Sequence, residues 1–509
     1  MKHHRLLVIA VALVVALLGT AVTYAAPPSE KLSDKVQIGG IVQHLQALQQ
    51  IADENGGTRA SITPGYTDSV DYVVGQLEGS GYEVTVQPFT FAFVGETAPS
   101  VFERLTPTYR LYATGAEYLT MAYSGSGNVT ARIWPVDVIV PMPPAAPPST
   151  STSGCEMSDF AGFPAGSIAL MQRGTCTFRV KAENARAAGA IAVIIFNEGQ
   201  VGRQATLNGT LNPPPTPFDR PVIGTSYAVG AELVELWRAN PNVTVHIFVQ
   251  TIAEQRTSYN VLAETRCGDP NNVDMMGAHL DSVVAGPGIN DNGTGSAHQL
   301  EIAIQLAKKF HVNRRNTKNC FIRNMIRFAW WGAEEQGLIG SRHYTNTLTP
   351  AEREQIDLYL NYDMNGSPNY VRFVGAGTAG GPPGSDDIER VYKEYFDSQG
   401  LATDPTPFDN RSDYGAFTPH NIPAGFLFTG AEGVKTPAQA AVYGGTAGEP
   451  YDRCYHQACD TIDNVNQIVL LQMAQAAASV LMCWANSQPL DHGAGGPAPG
   501  ACFTKDEKR

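Results

Sequence analysis

Apolar residues at Ile38, Ile41, Val42, Leu45, Leu48 and Ile51 recur at helical spacing, so residues 36–54 are expected to form an amphipathic helix stopped by Asn55-Gly56-Gly57. Val70, Val73, Val74 and Leu77 mark one face of a second helix over residues 66–77, and residues 82–89 alternate as a strand does. From about Phe93 the texture changes to short β-like runs. Two proline-rich pieces, residues 141–148 and 213–217, read as loops. Between them lie an expected helix at 181–188 and an apolar strand at 190–196. From Asn260 onward, apolar runs at 273–276, 326–331, 357–362 and 424–428 alternate with helical patterns at 296–310, 338–346, 386–400 and 465–484. That alternation predicts an α/β fold, a mixed and mostly parallel sheet with helices on both faces. The stretch after Pro489 is rich in Gly, Pro and charge and is expected to be a mobile tail.

The chain has 509 residues, enough for two or more domains. Its formal net charge of −13 argues against a nucleic-acid partner, which would select a basic face. Lys2, His3, His4 and Arg5 precede an apolar run from Leu6 to Leu18, and Thr23-Tyr24-Ala25 offers small residues at a cleavage point. This predicts a secretory signal peptide over residues 1–25, the run being short of the roughly 20 residues of a membrane span. No later stretch reads as long and apolar enough to cross a bilayer. All eight cysteines follow this segment, an even count that in an exported chain reads as disulfides. Pairing in chain order (155–176, 267–320, 454–459, 483–502) is plausible, but spacing does not fix it.

Four short stretches follow the apolar runs and present acid, imidazole or phenol where a strand should end. The first carries His279 and Asp281, two positions apart and so expected on one side of a strand, then Asp291 in a glycine-rich loop. The second is Gly332-Ala-Glu-Glu-Gln-Gly337, the third Asn361-Tyr-Asp-Met-Asn-Gly366, and the fourth Cys454-Tyr-His-Gln-Ala-Cys459. Imidazole and carboxylate suit Zn²⁺, and a pair of ions needs one bridging carboxylate, for which Asp291 is placed. Adjacent Glu334 and Glu335 diverge, so one can bind metal while the other takes a proton. Asp281 can accept the second ring N–H of His279. Other residues read as structural: His298 and His420 as surface or hydrogen-bonded groups, Trp330 and Trp331 as core, Asp413 as a supporting acid. The sequons at Asn128, Asn208, Asn242, Asn292, Asn365 and Asn410 carry no argument alone.

The run from Gly166 to Phe178, with its RG-x-C-x-F pattern, the helix after it and the strand at 190–196 resemble the protease-associated (PA) domain over residues 96–255. The stretches GAHLDS, GINDNGTGS, RFAWWGAEEQGLIGS, YLNYDMNGSPN, RSDYGAF, FTGAE and CYHQACDTI, with GGTRA near the start, resemble the secreted bacterial di-zinc aminopeptidases, and with the PA insertion aminopeptidase Y. The resemblance implies a zinc exopeptidase fold split over residues 30–95 and 256–488, with a β-rich PA insertion at 96–255 and a tail at 489–509. It implies that His279 and Asp363 hold one zinc and Glu335 and His456 the other, with Asp291 bridging and Asp281 orienting His279. Glu334 would be the general base toward a water at the metal pair, and Tyr455 would hydrogen-bond the oxyanion. The backbone near RSD, here Arg411, with Glu334 and Asp363, would meet the substrate's amine, and Met364 and Phe428 would line a pocket for large apolar first residues such as Leu. Calcium is a further possible ion. The partners implied are peptides or proteins with a free N-terminus, met outside the cell. Asn410, where relatives often have Gly, and Glu432 depart from the pattern near the substrate pocket. Competing readings are a carboxypeptidase or dipeptidase using Arg411 as its carboxylate grip, a non-catalytic binding protein, and a one-zinc glutaminyl cyclase.

Overall fold

The structure is a computed structural model, described here for residues 31–143, 145–211, 217–313, 321–490 and 502–503. The expected signal peptide, Cys320 with its expected bond to Cys267, and most of the expected tail lie outside the described residues.

The chain divides into two compact units, one drawn from residues up to Phe89 and from Thr257 onward, the other from Thr90–Arg256. The first begins with α1 (Leu32–Lys35), α2 (Ile38–Glu54) and α3 (Pro64–Gly79), and β1 (Glu83–Arg104) carries the chain onward. The second unit contains β2 (Arg110–Leu111), β3 (Tyr118–Thr120), β4 (Gly127–Pro135), β5 (Ile168–Gln172), α4 (Phe178–Ala187), β6 (Ala192–Phe196), β7 (Val222–Thr225) and α5 (Tyr227–Ala239). Strands β4, β5, β6 and β7 run parallel in that order, with β3 antiparallel at the β7 edge. All residues of β5 and β6 are buried, which is why both read as unbroken apolar runs rather than alternating ones. Cys155 and Cys176 are bonded in this unit.

The chain returns through β8 (Thr244–Glu264) to β9 (Asp269–His279), α6 (Thr294–Phe310), β10 (Asn324–Trp331), α7 (Ile339–Thr347), α8 (Pro350–Glu354), β11 (Ile356–Tyr362), β12 (Phe373–Gly375), α9 (Ser385–Ser398), β13 (Asp404–Thr406), α10 (Tyr414–Phe417), β14 (Ala424–Phe428), α11 (Pro437–Tyr443) and α12 (Gln467–Trp484). The sheet order is β13-β12-β14-β11-β9-β10-β8, with β14, β11, β9 and β10 mutually parallel. Its period-two alternation sorts side chains to two buried faces. Met276, Trp330, Leu358 and Leu360 pack with α2, α6 and α12, whereas Met275, Trp331, Tyr359 and Phe426 pack with Tyr344, Tyr414 and Phe417. Trp330 and Trp331 are therefore core residues on opposite faces.

Helix α12 corrects one expectation: it is long and apolar enough to cross a bilayer. It instead lies in the core, with Leu470, Met473, Val480, Leu481 and Trp484 buried. The bond from Cys483 to Cys502 fastens a tail residue to its end.

His298 differs from its expected surface or hydrogen-bonded state. It is fully buried on α6, edge-on to Tyr362, and among the described residues neither ring nitrogen has a hydrogen-bond partner. Burial pulls its imidazole down to about 3. The folded state thus keeps the ring neutral where the unfolded chain protonates it near pH 6.5, and stability falls as pH drops through that value by about 1.4 kcal/mol per unit. His298→Leu is expected to be more stable than the parent at pH 4–5 and to lose that advantage near neutrality, as measured by urea unfolding against pH.

Candidate active site

Because β10, β9, β11 and β14 are parallel, their carboxyl ends open on the same side, with Trp331 opposite His279 and Tyr362 opposite Leu427. Open α/β sheets bind ligands in the crevice beyond those ends. The strand ends and the segments that follow them deliver His279, Glu334 and Glu335, Asp363 and Phe428 to one cleft. The α6 entry loop adds Asp291, and the loop closed by the Cys454–Cys459 bond adds Tyr455 and His456. Of the residues singled out from sequence, all except Asp281 line this cleft, Met364 and Arg411 included.

Two donor sets face each other across Asp291. His279 Nε2 lies 3.3 Å from Asp291 Oδ1 and 3.5 Å from Asp363 Oδ1. His456 Nε2 lies 3.2 Å from Asp291 Oδ2 and 3.1 Å from Glu335 Oε2. Each oxygen of Asp291 thus serves a different imidazole, as a bridge between two ions requires. Two donors bound at ~2.0–2.1 Å to one tetrahedral ion sit roughly 3.3 Å apart, so both sets have the spacing of co-ligands. Asp363 Oδ1 and Glu335 Oε1 are buried without a hydrogen-bond partner among the described residues. Glu334 Oε2 stands 3.9 Å from His279 Nε2, beside the set that contains His279 and Asp363.

The electrostatics of the cluster show why it favours cations. Burial, then neighbouring carboxylates, push Glu334 well above its ordinary range, and burial followed by Asp291 lifts Glu335 to about 7. Burial would lower both imidazoles, yet the carboxylates outweigh it, holding His279 well up and His456 up to about 10. Burial would raise Asp291, but hydrogen bonds from the two imidazoles hold it well below the usual carboxylate value.

The supporting groups differ in part from expectation. Strand β9 ends at His279, so Asp281 lies past the strand rather than on its flank. His279 Nδ1 meets the backbone carbonyl of Asp281 at 3.0 Å, while the Asp281 carboxylate stands 3.8 Å away. That carboxylate accepts instead from the backbone N–H groups of Glu334 at 3.1 Å and Glu335 at 3.4 Å. Asp281 therefore orients the imidazole with its main chain and the Glu334–Glu335 turn with its side chain.

Three further residues hold the cluster and were given no role from sequence. Arg59, fully buried, donates to the carbonyls of Leu280, Pro287 and Gly288, clamping the loop between His279 and Asp291. Ser412 Oγ donates to Asp363 Oδ2 at 2.7 Å, and Asp460 accepts the N–H groups of Asn290 and Asp291. Each lies inside or next to a quoted motif (GGTRA, RSDYGAF, CYHQACDTI), but only the fold shows what it touches. Ala333, Met364 and His456 hold positive φ at or beside functional positions, and the peptide between Asp291 and Asn292 is cis. Asn410 also has φ +60, where Asn is among the residues that tolerate the left-handed region, so its replacement of Gly is a backbone matter.

Pro407, Tyr414, Phe426 and Ala431 join Met364 and Phe428 as the less polar wall of the cleft. The Tyr455 ring stacks on His456 with centroids 3.9 Å apart. The Arg411 guanidinium is bonded to Glu432 and to the Tyr455 hydroxyl, which leaves it a poor grip for a terminal carboxylate.

Fold and donor set together define a metal-dependent hydrolase. Residues 260–481 match peptidase family M28, and residues 138–233 match the PA domain. An aminopeptidase of Pseudomonas aeruginosa is 47% identical over 450 residues, 87% of this chain and 80% of that protein. Leucine aminopeptidase 2 of Arthroderma otae is 37% identical, covering 86% of this chain and 82% of its own length. The aminopeptidase of Aneurinibacillus sp. strain AM-1 superposes with a TM-score of 0.66 at 25% identity, covering 91% of this chain and 97% of its own. A zinc aminopeptidase of Bacillus subtilis shares the fold, with a TM-score of 0.60 at 19% identity over 92% of this chain and 99% of its own. The chain belongs to peptidase family M28 and is a metalloaminopeptidase, a hydrolase of peptide bonds.

Proposed function

We propose that this chain is an exported aminopeptidase that holds two zinc ions and removes large apolar residues, Leu among them, from the free N-termini of peptides. The observation that carries the reading is the split of Asp291, one carboxylate oxygen toward each imidazole-carboxylate set. His279, Asp363 and Asp291 would hold one ion, and His456, Glu335 and Asp291 the other. Asp291, Glu334, Glu335 and Asp363 carry a formal charge of −4, which two divalent cations would balance. When bound, such a pair supplies Lewis-acid polarisation of the peptide carbonyl and acidification of a water.

The chain's own residues perform the rest. Glu334, beside His279 and Asp363, accepts the proton of the attacking water and returns it to the leaving amine. The Tyr455 hydroxyl donates to the oxygen of the tetrahedral intermediate. Glu334 and Asp363 present carboxylate oxygens to the substrate's ammonium, with the Arg411 main chain beside them. Met364, Phe426 and Phe428 take the first side chain. Asp281, Ser412, Arg59 and Asp460 hold these groups in place, so little reorganisation is needed at the moment of reaction. The expected signal segment supports export, as do the three bonded cysteine pairs among the described residues.

The test compares a leucine chromogenic amide with its N-acetyl derivative. The free amine is expected to be cleaved and the acetylated one to lose at least about 10²-fold in kcat/KM, because buried carboxylates are left without their cation. Equal cleavage of both would remove the N-terminal specificity.

A further inference from the structure

Glu432, which follows the cleft-lining Ala431, departs from the pattern that the resemblance leads us to expect. It lies on the segment after β14, and Arg411 on the segment before α10. Their side chains meet as a fork: Arg411 Nη1 to Glu432 Oε1 at 2.9 Å and Nη2 to Glu432 Oε2 at 3.2 Å. Nη2 also donates to Tyr455 Oη at 3.2 Å. The guanidinium carbon lies 6.0 Å from the centroid of the Tyr455 ring. The side chains of Arg411 and Glu432 are 53% and 57% exposed, so the pair adds little to stability and its placement needs another reason.

That reason lies in the hydroxyl. A phenol has one proton to donate and two lone pairs to accept with. Once Oη accepts from Arg411, its own proton is free for another acceptor, and a cationic donor on the lone pair polarises the O–H. Stacking on His456 fixes the ring, and the bond from Arg411 fixes its polar end. Arg411 is a long side chain with many rotamers and stays in this geometry only while something holds it. Its main chain is held by Asp409, which accepts the Arg411 N–H at 3.1 Å, and its planar head by the Glu432 carboxylate.

We propose that Glu432 is a positioning residue that, through Arg411, presents the Tyr455 hydroxyl to the developing oxyanion. The relay deepens the reading of Tyr455 given above and rests on it. Glu432 touches no reacting atom; its carboxylate selects one Arg411 rotamer, and the rotamer selects the direction of the phenol proton. Lys at position 411 would not substitute, because an ammonium cannot engage both carboxylate oxygens and Oη with one rigid plane.

The experiment is a double-mutant cycle on the zinc-loaded full chain with a leucine chromogenic amide. Tyr455→Phe is expected to lower kcat by about 10²-fold, the loss found when one oxyanion donor is removed. Glu432→Gln and Arg411→Lys are each expected to lower kcat by about three- to tenfold, the scale of one hydrogen bond, with KM and thermal midpoint nearly unchanged. In the Tyr455→Phe background the same two substitutions are expected to have no further effect. Glu432→Asp, which keeps the charge on a shorter arm, is expected to recover part of the loss. Additive losses in the Tyr455→Phe background would overturn the relay while leaving Tyr455 in its role. So would an effect confined to KM that varies with the substrate's second residue, since the pair would then be touching substrate directly. A Tyr455→Phe enzyme as active as the parent would overturn both the relay and the reading beneath it.

Discussion

Glu334→Gln is expected to leave the fold and zinc content intact while kcat falls by about 10²–10⁴-fold, the range that a positioned general base contributes. The substitution keeps the size and hydrogen-bonding reach of the side chain but removes its capacity to take a proton. Glu334 is 8% exposed, its backbone N–H is pinned by Asp281, and its carboxylate lies 3.9 Å from His279, farther than those of Asp291 and Asp363. Adjacent Glu335 cannot replace it, because its carboxylate is turned to His456 at 3.1 Å. The check is a steady-state comparison alongside metal analysis and thermal unfolding of both proteins. Turnover within tenfold of the parent would take Glu334 out of the proton-transfer role, whereas lost zinc would make it a ligand.

The second large effect concerns the metal pair. Chelation is expected to abolish hydrolysis and zinc to restore it, with about two equivalents bound per chain. Asp291→Ala is expected to lose both the second equivalent and activity. One carboxylate serves both donor sets, so its removal weakens each set at once. Even a supporting group around a metal typically costs about 10–100-fold in affinity when removed, and a shared ligand should cost more. Calorimetric zinc titration of the parent and the variant reads this directly. Two tight equivalents in Asp291→Ala would show that the ions do not share it. One equivalent in the parent would instead fit a single-ion site. Thermal stability should follow metal content, because ions that bind only the folded chain stabilise it by mass action.

Much of the framework was legible in the residues themselves. The strands at 326–331, 357–362 and 424–428 announce themselves as short apolar runs, because a sheet covered on both faces needs apolar side chains at successive positions. Helices α2, α3, α9 and α12 carry helical spacing of apolar residues for the same packing reason. The chemistry-bearing residues were legible as types. Acid, imidazole and phenol directly after apolar runs are costly in a core and are retained where they act, and the motifs around them matched a known pattern.

What the sequence could not supply were relations between distant segments. The period-two argument put His279 and Asp281 side by side, yet the strand stops at His279 and the Asp281 carboxylate serves Glu334 and Glu335 across 53 and 54 positions of chain. Arg59 reaches carbonyls more than 220 residues away, and nothing local announces that a buried guanidinium will take three of them. His298 read as a surface or hydrogen-bonded histidine because burial of a single polar residue on an amphipathic helix depends on what packs above it. Here that is Tyr362. The Arg411–Glu432–Tyr455 contacts join three loops whose approach is set by β14, α10 and the Cys454–Cys459 bond. Sequence by itself determined which segments fold as strand or helix and which residues could bind metal or move a proton. Tertiary structure alone decided which of these face one another, because hydrogen bonds and ligand geometry are fixed within tenths of an ångström by elements that the chain brings together from hundreds of residues apart.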